Sequence, residues 1–172
     1  HVASVASFFI SRVDVEVDKR LAALGTPEAD LLLGTCAIAQ AKLAYKLFTT
    51  SFSSPRWDAL ARMGARVQRP LWASTSTKNP LYRDTLYVDQ LIGPSTVNTL
   101  PDQTMEAFAD HGTVARTIDA NVEDAESAWI QLRNFGIDMT EIAAQLEHEG
   151  VESFQKSFQE LIAALEQKLE TL

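Results

Sequence analysis

The sequence predicts an α/β fold built on parallel strands, with more helix than so small a sheet needs. Two observations point there. Residues 2–10 and 70–73 are apolar runs without a polar face, the pattern of strands covered on both sides. A long, mostly helical stretch separates them, which is the spacing of a βα unit. A third observation limits the reading: the helices outnumber the sheet they ought to cover. Two parallel strands cannot close a barrel, and their outer edges would carry unpaired N–H and C=O groups. The expectation is therefore the C-terminal part of a larger α/β fold. The chain begins at His1 and enters its first strand at once, so further residues are expected upstream.

Each element arises from local chemistry. After the first strand, Val13, Val15 and Val17 alternate with Asp14, Glu16 and Asp18, as in a strand. Val17, Leu21 and Leu24 nevertheless share a helical face, and Gly25 is a helix stop, so helix is expected. Thr26-Pro27-Glu28 starts another helix, with a hydroxyl cap, Pro in the first turn and an acid at the positive dipole end. It runs to about Phe52 with a break at Gly34. Residues 51–55 read as a loop, 57–63 as a short helix ended by Gly64. Pro70 can open the second strand because a first position need not donate to the ladder.

Residues 86–88 fit a short strand or a turn of helix. Residues 101–109 form a helix with Pro in the first turn, 113–122 a polar connector, and 123–134 a helix stopped by Gly136, with Trp129 and Leu132 on one face. Asp138 to Glu141 has capping-box spacing. Gly150 is expected to punctuate the helical run. Beyond it Phe154, Phe158, Leu161, Ile162, Leu165, Leu169 and Leu172 make an amphipathic stripe, read as a packing face. No repeat or low-complexity tract is visible.

Charge and cysteine content exclude several classes. A net charge of −8 disfavours broad contact with nucleic acid or an anionic membrane. No apolar run is long enough to span a bilayer. The single cysteine, Cys36, rules out an internal disulfide framework and reads as a buried, inert thiol. His1, His111 and His148 are dispersed, which argues against zinc; Glu147-His148-Glu149 reads as a solvated helix end. Residues 2–10 lack the basic and small-residue flanks of a secretory signal, so cytoplasm is expected.

The chemistry gathers in residues 69–80, Arg-Pro-Leu-Trp-Ala-Ser-Thr-Ser-Thr-Lys-Asn-Pro. A buried strand runs into four hydroxyls, Ser74 to Thr77, beside Lys78, and Asn79-Pro80 ends the run. Hydroxyls, loop N–H groups and an ammonium suit a phosphate monoester. A solvated Ser/Thr loop is the plainer alternative.

Two stretches carry a family resemblance. Ser-Val-Ala-Ser-Phe-Phe-Ile-Ser-Arg-Val-Asp at 4–14 resembles the seventh strand of transaldolases. Gly-Ala-Arg-Val-Gln-Arg-Pro-Leu-Trp-Ala-Ser-Thr-Ser-Thr-Lys-Asn-Pro at 64–80 resembles the eighth. Asp-Thr-Leu-Tyr-Val at 84–88 and Val-Asn-Thr-Leu-Pro at 97–101 look like the actinobacterial type, which is also similar to the transaldolase half of fused transaldolase/glucose-6-phosphate isomerases. The resemblance covers nearly the whole chain.

It implies a (β/α)8 TIM barrel, of which residues 1–172 would be the C-terminal portion, strands 7 and 8 with their helices, lacking strands 1–6. It implies a transaldolase of the pentose phosphate pathway, which moves a dihydroxyacetone unit between sugar phosphates through a lysine Schiff base. The partners implied are fructose 6-phosphate, sedoheptulose 7-phosphate, erythrose 4-phosphate and glyceraldehyde 3-phosphate, with no metal or organic cofactor. The family's Schiff-base lysine and its acid partners lie on earlier strands, so no catalytic residue is expected here and the chain alone should be inactive. The pattern Ser-x-Phe-x-x-Arg maps onto Ser7 for substrate hydroxyls, Phe9 for pocket shape and Arg12 as main phosphate clamp. Lys78 falls where other members place a phosphate-holding arginine, and Ser76, with Ser74 next, at the phosphate-contacting serine. The alternatives are a non-enzymatic helical interaction module of barrel descent and a piece of the fused isomerase.

Overall fold

The computed structural model describes residues 2–170. His1 and Leu172, the last member of the stripe, lie outside them. One parallel sheet has the order β1 (Ser4–Phe9), β2 (Gln68–Ala73), β3 (Val97–Asn98). β1 and β2 pair throughout, from Ser4 opposite Gln68 to Phe9 opposite Ala73. β3 joins only through Leu71–Val97 and Trp72–Asn98. Two residues are too short a run for periodicity to reveal, so this third strand is an addition to the two expected.

β2 starts earlier than predicted, so Pro70 sits inside it. The Trp72 carbonyl meets the Thr99 N–H at 3.1 Å on the β3 side, and the Ala73 carbonyl meets the Ile10 N–H at 2.9 Å on the β1 side. Alternation then turns Pro70 toward β3, short of where that strand begins pairing. Its missing N–H leaves no gap in the ladder.

Cover on both faces is not what β1 shows. Ser4, Val5, Ser7 and Phe9 are exposed, while Ala6 and Phe8 are half-buried. Phe8 packs against the buried Trp72, ring centroids 5.7 Å apart. Among the described residues β1 also has a strand neighbour on one edge only.

A single residue, Ile10, separates β1 from α1 (Ser11–Leu24). Helix wins over alternation there because Val13, Val17 and Leu21 then bury together. Gly25 ends it in the left-handed region at φ 64°. Thr26 caps α2 (Pro27–Asp30) by accepting the Ala29 N–H at 3.3 Å. The break at Gly34 is present at φ 71°, before α3 (Cys36–Ser51). α4 (Pro55–Arg62) is capped by Ser54, and the ambiguous run is helical, α5 (Leu86–Gln90). α6 (Asp102–His111) and α7 (Val122–Asn134) follow as expected. α7 lies against α3, and Val17, Leu21, Cys36, Trp72, Tyr87 and Leu132 are among the buried core.

Residues from Asp138 onward form a separate unit, essentially one 32-residue helix, α8 (Met139–Glu170). Asp138 Oδ1 accepts the Thr140 and Glu141 N–H groups, as the cap spacing predicts. Gly150 does not punctuate: the helix runs through it, because glycine weakens a helix without blocking its hydrogen bonds. The Glu147-His148-Glu149 run is accordingly mid-helix, solvated, with His148 Nε2 3.2 Å from Glu152. The stripe from Phe154 to Leu169 is exposed, so the packing expected of it is not made among the described residues. Among those residues no helix is long and apolar enough to cross a membrane.

Candidate phosphate-binding site

Ser7 and Phe9 lie in the C-terminal half of β1, and Arg12, Ser76 and Lys78 follow the C-terminal ends of β1 and β2. Ser7 and Phe9, two apart on a strand, face the same way. Arg12, in the first turn of α1, folds back so that its guanidinium carbon lies 4.7 Å from the centre of the Phe9 ring. That stacking orients the fork, and its N–H donors make no hydrogen bond among the described residues. Ser7, Phe9 and Arg12 are all exposed. The structure thus brings together the three residues of the first motif.

The neighbouring strand end is tied to the same place. Ser11 N–H donates to the Ser74 carbonyl at 2.9 Å, and the two hydroxyls lie 2.7 Å apart. Ser74 takes φ 57°, unusual for a residue with a Cβ, to make this turn. Thr75 is buried and donates to Asn98 Oδ1 at 2.8 Å, fastening the loop to β3. Of the four hydroxyls, then, Ser74 and Thr75 are engaged in holding the backbone. Ser76 remains half-exposed, and Lys78 Nζ donates to its Oγ at 2.9 Å.

The electrostatics favour an anion. Among the described residues neither Arg12 nor Lys78 is paired with a carboxylate. The N-cap Ile10 offers no side-chain acceptor, and the Ser11 N–H at the start of α1 is taken by the Ser74 carbonyl instead. Guanidinium, ammonium and hydroxyl groups such as those of Arg12, Lys78 and Ser76 are the donors that a phosphate monoester takes.

Sequence reasoning missed the residues that brace this site. Asp14 is buried and accepts the Ala37 N–H at 2.7 Å; Asp18 accepts the Gly34 N–H at 2.9 Å. α1 thereby caps the start of α3, whose own N-cap, Thr35, makes no side-chain bond there. Burial pushes the Asp14 carboxyl up to about 6; the Ala37 N–H and the Tyr87 hydroxyl pull the other way, and the Asp18 charge adds to the rise. Asp14 Oδ2 makes no hydrogen bond of good geometry among the described residues. Burial, with both carboxylates near, also pushes the Cys36 thiol far up, so the reading of an inert thiol fits. The signal was available: Asp14, Val17, Asp18 and Leu21 share one helical face, and acids on an apolar face imply buried partners.

Elsewhere, two cavities of about 270 and 290 Å³ both include Lys42. Its ammonium donates to the carbonyls of Thr117, at 2.5 Å, and Ala120, at 2.7 Å, which makes it a brace for the 112–121 segment. Burial pulls its pKa down.

Comparison with known proteins identifies the family. The profile of the Transaldolase/Fructose-6-phosphate aldolase family matches residues 1–165. A transaldolase of Parafrankia sp. (strain EAN1pec) is 55% identical over 169 residues, covering 98% of this chain and 46% of the relative. Those of Frankia alni and Thermobifida fusca are 51% and 49% identical, with the same 98% and 46% coverage. The chain spans about half the length of these relatives. A family match along nearly all its length makes this chain, with its parallel sheet, a member of the Transaldolase/Fructose-6-phosphate aldolase family.

Proposed function

We propose that this chain supplies the phosphate-holding part of a transaldolase. The observation that carries the reading is the position of Arg12 and Lys78, unpaired with any carboxylate among the described residues and past the C-terminal ends of adjacent parallel strands. In a (β/α)8 barrel that end houses the active site, and β1 and β2 stand where the last two strands would be. Arg12 grips the phosphate with its fork, Lys78 adds a point charge, and Ser76 donates a hydroxyl. Ser7 meets substrate hydroxyls and Phe9 shapes the pocket while orienting Arg12.

The covalent chemistry belongs to residues upstream of this sequence. There a lysine amine condenses with the ketose carbonyl, expelling water, and the iminium takes up the electron pair when the C–C bond breaks. The dihydroxyacetone unit then passes to an aldose phosphate, within the set of fructose 6-phosphate, sedoheptulose 7-phosphate, erythrose 4-phosphate and glyceraldehyde 3-phosphate. Calorimetry with fructose 6-phosphate tests the part played here. Arg12→Ala should weaken binding by tenfold or more, since a charge-assisted bond contributes about 1.5–3 kcal/mol. Equal affinity in the two proteins would refute the assignment.

The exposed stripe of α8 favours a second reading, a helical interaction module without substrate. It predicts that no sugar phosphate changes the melting temperature.

A further inference from the structure

The loop that carries Ser76 and Lys78 is fastened to α1 at both ends. At its start, Ser74 bonds Ser11 through backbone and hydroxyl. At its close, the Tyr82 hydroxyl donates to Asp18 Oδ2 at 2.6 Å. The Tyr82 ring also lies on Gly34, where an added Cβ would come within 2.9 Å of the ring, and Gly34 N–H binds the other Asp18 oxygen. Lys78 is connected to this anchor through its neighbour: Asn79 accepts the Tyr82 N–H with its carbonyl at 3.1 Å and the Leu81 N–H with its side chain at 3.0 Å. α1 also carries Arg12. A helix is stiff over six residues, so whatever fixes the loop to Asp18 fixes Lys78 relative to Arg12.

We infer that Tyr82 and Asp18 are positioning residues, whose hydrogen bond sets the spacing between the two cations that hold the substrate phosphate. This rests on Arg12 and Lys78 forming the proposed phosphate grip. Neither Tyr82 nor Asp18 touches substrate; they act through the loop. The physical argument is preorganisation. Lys78 is exposed and sits on a loop, where an unanchored ammonium would lose chain entropy on binding. The Asp18 carboxylate, already held by the Gly34 N–H, takes that loss at folding instead, through a charge-assisted bond. Asp18 is also held in place by α1 itself, so the anchor does not move with the loop.

Tyr82→Phe in the 172-residue chain removes the hydroxyl and keeps the ring on Gly34. Fructose 6-phosphate affinity should fall about tenfold, or ~1.4 kcal/mol. Amide exchange at residues 75–79 should rise in the free protein, a change that Arg12→Ala does not produce. Asp18→Asn, whose one oxygen can keep the Gly34 N–H while its amide N–H donates to the phenol oxygen, should retain more of the affinity than Asp18→Ala. Wild-type affinity in Tyr82→Phe, with binding still lost in Arg12→Ala, overturns the inference and leaves the proposed function standing. A wild-type chain that binds no sugar phosphate overturns both.

Discussion

Asp14 shows how one buried carboxylate couples packing to pH. Its folded-state pKa, about 6, lies above the 3.8 of an unperturbed aspartate. Between these values the folded protein holds a proton that the unfolded chain releases. The associated stability is present below the unfolded value and is lost as pH rises through about 6, amounting to ~3 kcal/mol in all. Asp14→Asn cannot ionise, yet retains an oxygen for the Ala37 N–H. Its melting temperature should therefore fall less than the wild type's between about pH 4 and about pH 7. Parallel curves for the two proteins would show that Asp14 is charged throughout. The helical face of Asp14 and Asp18 signals burial in the sequence, but not what the two carboxylates bind. Their partners, the Ala37 and Gly34 N–H groups, lie well along the chain and become neighbours only when α3 docks on α1.

Among the elements, α8 departs most from expectation. Glycine suggested a stop, but an uninterrupted helix passes Gly150, and an added Cβ there would meet nothing within 4 Å. Gly150→Ala should stabilise the helix by ~1 kcal/mol, read as slower amide exchange in the surrounding turns. A faster exchange would mean that Gly150 is needed for its flexibility. Gly34 is the opposite case. Its φ of 71° and the Tyr82 ring make the break between α2 and α3 obligatory, so there the glycine signal was correctly read. A side chain at Gly34 would meet strain and collision together, whereas Gly150 has an ordinary helical backbone and open space. The residue type is the same; neighbours decide.

For the whole molecule, the half-length match to relatives and the open edge of β1 bear on catalysis. If the Schiff-base lysine lies upstream, borohydride reduction in the presence of fructose 6-phosphate should leave this chain unlabelled. Adding the upstream half of the Parafrankia relative should place the label on that half. An adduct on Lys78 would overturn the proposed division of labour. Lys78 is exposed and hydrogen-bonded to a serine, far from the desolvated setting that makes a lysine nucleophilic.

What the sequence by itself determined was local: where most helices begin and end, and that two apolar runs are strands. Thr26, Gly25 and Asp138 act within a turn of their own positions, so neighbouring residues suffice to read them. The family motifs likewise named Ser7, Phe9, Arg12, Ser76 and Lys78 as residues, without their arrangement. Only the tertiary structure decided that Arg12 folds onto Phe9, that Ser11 and Ser74 join two strand ends, and that Tyr82 closes the loop onto Asp18. It also decided that β1 stays exposed and that β3 exists at all. Those features depend on contacts between residues distant in sequence, and a linear pattern records propensity, which says nothing about which partner arrives.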